Sequence, residues 1–207
     1  MTWYAHNLYV PATDMALQVL RRKPNLPQFL YLVQSLEGFL WHTPAVQHGL
    51  GPVGLAVVRP LGPAENYFSE WYGEPVLPWE LPHPVTPSPG LVAFVEDEQA
   101  PPVSLLQFSK ELSAEAGVPV LYYSSSMWGG DVEFEASWVF TPAQHTYITQ
   151  LSPGGEPEVR CVNEQGVEAV VPGDALRKGL AHLDIQLPTG FFALHTRAFP
   201  WGRYRVA

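Results

Sequence analysis

From Asp131 to Phe140 the chain alternates without a break: Asp131, Glu133, Glu135 and Ser137 on one side, Val132, Phe134, Ala136, Trp138 and Phe140 on the other. A period of two sustained over that length describes a half-buried strand with two unlike faces. The residues before it complete a unit. Ser104 is placed to cap a helix carried by Leu105, Leu106, Phe108, Leu112 and Ala116, which Gly117 and Pro119 stop. Val120 to Tyr123 is β-branched and aromatic, as a strand requires. Gly129-Gly130 suits a two-residue primed turn, which sets Trp128 opposite Asp131 and Tyr123 opposite Ala136. That register puts Leu121, Tyr123, Ser125 and Met127 in the core. It leaves Tyr122, Ser124, Ser126 and Trp128 beside the three carboxylates, on an acidic and aromatic outer face.

The rest of the chain reads as short elements. Trp3 to Val10 is an opening strand with neither face cleanly apolar, so both are partly covered. Thr13 or Asp14 caps a helix through Met15, Leu17, Val19 and Leu20, and Arg21-Arg22-Lys23 complements its C-terminal dipole. Pro27 suits the first turn of a second helix whose stripe runs from Phe29 to Leu40. Leu55 to Val58 is a buried strand, and Glu65 to Trp71 is a turn or two of helix.

Six prolines between Pro75 and Gly90 exclude a helix or central strand there, and Val76, Leu77, Trp79 and Leu81 pin the segment to a surface. Leu91 to Val95 is a strand. His145 to Leu151 and Glu158 to Val162 form a hairpin across Pro153-Gly154-Gly155, Val167 to Val171 follows, Asp174 caps a helix through Leu183, and Phe191 to Phe199 is a last strand. Strands in runs and helices singly predict an α+β fold, a mainly antiparallel sheet of short strands with helices packed on one face. Residues 1–207 are read as a single domain, with lobes 1–74 and 91–207 joined by 75–90 as the other arrangement.

Twenty acidic residues against eleven basic ones give a net charge of −9, so no basic stripe exists for nucleic acid or an anionic membrane, and a basic protein partner is allowed and would be drawn in by long-range attraction. Cys161, the single cysteine, rules out an internal disulfide and reads as a buried structural thiol on a strand. The N-terminus lacks a basic region with an apolar run, so a cytoplasmic protein is expected.

No metal or cofactor is expected: the seven histidines show no ligand spacing, and phosphate-binding loops, dinucleotide fingerprints and nucleophile elbows are absent. Asp131, Glu133 and Glu135 form a row about 6 to 7 Å apart on one strand face. Such a row is a solvated face, an interaction surface or an acid–base pair. Trp128 beside the Gly-Gly turn is either folded back or presented to a partner.

Leu112 to Phe140, LSAEAGVPVLYYSSSMWGGDVEFEASWVF, resembles a pattern in small, uncharacterised bacterial cytosolic proteins, some of them immunity proteins encoded beside antibacterial toxins. Those proteins pair a helix with a YY…WGGD.E.E hairpin. The resemblance implies a stoichiometric toxin inhibitor without chemistry of its own, with Trp128, Asp131, Glu133 and Glu135 at the partner and Tyr122 beside them. The other reading is a small cytosolic hydrolase joining a carboxylate to His145 or His195.

Overall fold

The computed structural model describes residues 3–23, 26–34, 50, 52–59, 103–128, 131–151 and 158–185. In chain order these form β1 (Trp3–Pro11), α1 (Asp14–Arg22), a 3₁₀ turn (Pro27–Phe29), β2 (Leu30–Val33), β3 (Leu55–Val58), α2 (Val103–Ala116), β4 (Val120–Trp128), β5 (Asp131–Phe140), β6 (His145–Gln150), β7 (Glu158–Asn163), β8 (Glu168–Pro172) and α3 (Ala175–Ala181). The fold is α+β, as the sequence predicts. One antiparallel sheet of eight strands runs β2-β3-β1-β4-β5-β6-β7-β8.

Both faces of this sheet are packed. Leu8, Tyr122, Trp138 and Phe140 meet Leu20 of α1 and Leu105 and Leu112 of α2 in one core. Tyr9, Leu121, Tyr123 and Val139 meet Leu176 and Leu180 of α3 in the other. α1 and α2 therefore share a face, whereas α3 covers the opposite one, so the helices do not all pack on one face as the sequence leads one to expect. The continuous apolar runs explain this: LAVV of β3 and VLYY of β4 offer apolar side chains in both phases of the pleat, which is stable only when neither face is wet. Each large side chain so buried contributes about 1.5–3 kcal/mol.

α1 begins where Thr13 accepts a hydrogen bond from the Ala16 N–H at 3.2 Å and ends at Arg21 and Arg22, as its sequence signals indicate. α2 starts at Val103, so Ser104 lies inside the helix and not at its cap. Gly117, at φ +66°, ends it as expected. The helix expected from Pro27 is corrected. One 3₁₀ turn at Pro27–Phe29 gives way to strand β2, whose Leu30, Tyr31 and Val33 are buried. An apolar run buried on both sides satisfies its backbone on β3, and a stripe at helical spacing does not distinguish the two outcomes. The expected elements at 65–71, 75–95 and 191–199, and with them the two lobes, lie outside the described residues.

α3 lies unusually close to the sheet. Gly179 faces Ser137 and Leu121, and a Cβ added there would stand 2.7 Å from Ser137 Oγ and 2.8 Å from Leu121 Cδ1. Gly179→Ala is therefore expected to push α3 off the sheet at a cost of about 1–3 kcal/mol, read as a lower denaturant midpoint with unchanged slope. An unchanged midpoint would contradict this packing.

Candidate functional site

The β4–β5 hairpin carries the residues singled out in the sequence, and its register decides which of them reach solvent. Trp128 is opposite Asp131 as expected, but Tyr123 is opposite Ser137 and not Ala136. The difference is one residue. Ser126 pairs with Phe134 and Met127 with Val132, which leaves Glu133 as an extra residue on β5 without a cross-strand partner: a β-bulge. Past the bulge the faces of the two strands are exchanged relative to the simple register.

The acidic row is consequently broken up. Glu133 is exposed. Glu135 is buried, 6% exposed, under the start of α3. Its Oε1 accepts from the Tyr123 hydroxyl at 2.9 Å and its Oε2 from the Ala175 N–H at 3.1 Å. Burial raises the Glu135 pKa, and the neighbouring Asp174 adds to the rise, against the hydrogen bonds from Tyr123, Ala175 and Leu176. Ser137, two residues on, donates to the Ala175 carbonyl at 2.8 Å. Asp174 itself caps α3 by accepting from the Arg177 N–H at 2.8 Å, as its sequence signal indicates. Glu135 and Ser137 together fasten α3 to the sheet, so Glu135 is withdrawn as a partner contact.

Tyr122 is withdrawn as well. It is 1% exposed in the core beneath α1 and α2, its ring 5.5 Å from that of Trp138 across the strand pair. Its hydroxyl lies 3.2 Å from His6 Nδ1, and the Ser124 hydroxyl lies 3.0 Å from the same nitrogen. Burial holds the His6 pKa down at about 4, so the imidazole is neutral near pH 7. A neutral imidazole between two hydroxyls is a means of satisfying polar groups inside a sheet, and Ser124 is itself buried.

The end of the hairpin extends past its neighbour. β6 runs in register with β5 from Ala136 to Phe140, so among the described residues the Asp131 to Phe134 half has β4 on one edge and no strand on the other. Glu133 sits in that half, with the Trp128–Asp131 pair two residues further toward the turn.

His145 does not join the acidic row. It pairs with Phe140 at the opposite end of β5, five residues from Glu135, about 17 Å along the strand. Its Nδ1 is 3.2 Å from Glu164 Oε1, which also receives Lys110 of α2 at 3.7 Å. Burial lowers the His145 pKa, partly opposed by Glu164 and assisted by Lys110. Sequence reasoning missed this pair because Glu164 lies in the β7–β8 turn, next to nothing that would signal a histidine. His195 lies outside the described residues. Cys161 is on strand β7 as expected but only partly buried, and burial raises its pKa.

Among the described residues no group of three or more histidine, cysteine or acidic side chains has metal-binding geometry, and no helix is long and apolar enough to cross a membrane. No protein-family model, curated protein sequence or solved structure matches the chain.

Proposed function

We propose that this chain is a non-enzymatic binding protein of immunity type, which captures a basic protein partner, a toxin, through the acidic end of the β4–β5 hairpin. The observation that carries the reading is the bulge at Glu133, which holds a carboxylate exposed on a half-strand that extends past β6. Bulges re-aim side chains at strand ends, and a backbone edge with no described strand beside it lets a partner add contacts there. A net charge of −9 supplies the long-range attraction that speeds capture of a basic surface. The cytoplasmic location expected from the sequence belongs to the same reading.

Reversing charge at the tip tests it. The double variant Asp131→Lys, Glu133→Lys is expected to weaken capture by at least about tenfold, and to slow association more than it speeds dissociation. At Glu133, which is exposed, the change is expected to leave stability near wild type. Equal affinity of the variant and the wild type would remove the hairpin from the interface. A hydrolase built on a carboxylate and a histidine is the second reading. It rests on His145 and Glu164, and ranks below because Lys110 shares that carboxylate and the imidazole is buried.

A further inference from the structure

The two outer strands of the sheet are treated differently. β2 is an edge by strand order, yet Leu30, Tyr31 and Val33 are buried. β8 is the other edge among the described residues, and Glu168, Ala169 and Val170 are all exposed, so both faces of this strand meet solvent. Val170 is 57% exposed and Val167, just before the strand, 65%. Edge strands are commonly protected by lysine, by a proline within the strand or by a bulge, and β8 has none of these; its Pro172 stands at the end.

Charge does not protect it either. Glu168 is the one charged residue of the strand, and Arg160 on β7 neutralises it, Nε donating to Oε2 at 3.0 Å and Nη2 to Oε1. That pairing holds the Glu168 carboxyl below its usual pKa. In a chain of net charge −9, β8 is thus a locally neutral, apolar strip.

The ladder fixes which backbone groups it offers. Asn163 donates to the Val167 carbonyl at 3.0 Å, so Val167 turns its carbonyl toward β7. In an antiparallel ladder the direction alternates, so Ala169 and Val171 also face β7, whereas Glu168, Val170 and Pro172 face outward. We infer that β8 is a self-association site: a second copy of the chain adds its own β8 antiparallel, about a two-fold axis at Val170.

In that register each Val170 N–H donates to the Val170 carbonyl of the other copy, and each Glu168 N–H donates to the Pro172 carbonyl of the other copy. The missing N–H of Pro172 costs one bond per copy. Val170 packs on Val170 across the axis, Glu168 stands opposite Pro172, and no like charges oppose each other. The result is one sheet continued through two copies, closed by symmetry.

This site is independent of the hairpin tip and responds to salt in the opposite sense. Two copies of charge −9 repel over long range, so salt strengthens the dimer, whereas it weakens capture of a basic partner. Sedimentation velocity on the full chain, over a concentration series at low and high salt, reads the effect. Wild type is expected to show a concentration-dependent dimer whose fraction rises with salt.

Val170→Lys sets like charges face to face, and Val170→Pro removes an outward N–H without touching the β7 ladder; both are expected to be monomeric with unchanged circular dichroism. Val170→Cys in a Cys161→Ser background is expected to give a covalent dimer on mild oxidation, because the two Cα atoms are about 5.5 Å apart in this register, within disulfide reach. A chain that is monomeric at every concentration and salt, or a dimer that survives both Val170→Lys and Val170→Pro, overturns the proposal. A dimer lost in Val170→Lys whose Val170→Cys form does not cross-link overturns the two-fold register.

Discussion

Replacing Glu135 with alanine is expected to lower stability by about 2–4 kcal/mol, whereas Glu133→Ala costs less than about 0.5 kcal/mol. The two residues stand two apart in one strand and share a side-chain type, so the contrast isolates what the bulge does. Truncating Glu135 leaves the Tyr123 hydroxyl and the Ala175 N–H without their acceptor in a buried setting, and loosens the start of α3. Truncating Glu133 removes an exposed carboxylate that pairs with nothing across the strand. Denaturant titration of both variants gives the comparison. A Glu135→Ala midpoint equal to wild type would mean that α3 is not fastened as described.

Acid is expected to destabilise the protein well above the range where carboxylates usually titrate. His6 has an ordinary value of 6.5 and is held at about 4 by burial, so below pH 6.5 the unfolded chain takes up a proton that the folded chain refuses. Stability contributed by the neutral imidazole is complete above pH 6.5 and is lost as pH falls toward 4, by up to about 3 kcal/mol. His145 and His182 are lowered by burial too and act in the same direction.

Glu135 acts in the opposite direction. Its raised pKa contributes stability that is present at low pH and lost as pH rises through the folded value, so it partly offsets the histidines on the acid side. Denaturation midpoints of wild type and His6→Gln at pH 7 and pH 4.5 separate these contributions. The variant is expected to show a distinctly shallower acid loss, and an identical loss would assign the effect to other groups.

The parts of the fold that were legible in the sequence are those written locally. Thr13 and Asp174 are helix caps because their side-chain oxygens sit three residues before the N–H groups they accept from. The strands from β4 to β8 follow one another in space as in sequence, so reading them in order recovers their pairing. What could not be read is non-local. β1 lies between β3 and β4, an insertion that no run of residues announces. The LYLV run of β2 carries apolar residues in every phase, which fits a helix stripe and a doubly buried strand equally well.

The acidic row was misread for the same reason at finer scale. Alternation along β5 gave the correct strand, and from it a row of three outward acids. A single extra residue at Glu133 broke the row, and α3, arriving from forty residues downstream in sequence, claimed Glu135. A warning was present in β4: Leu121, Tyr122 and Tyr123 are large and apolar in succession, which already implies that both faces are covered.

On the proposed function, the tip of the hairpin, with Glu133 at its bulge, is the surface that meets a basic protein. Capture from native cells by the tagged wild-type chain and, side by side, by the Asp131→Lys, Glu133→Lys variant, each eluted with a salt gradient, tests this. The prediction is one basic protein in stoichiometric amount on the wild type, released by salt and absent from the variant. Capture of the same protein by both chains, or of none by the wild type, would contradict it.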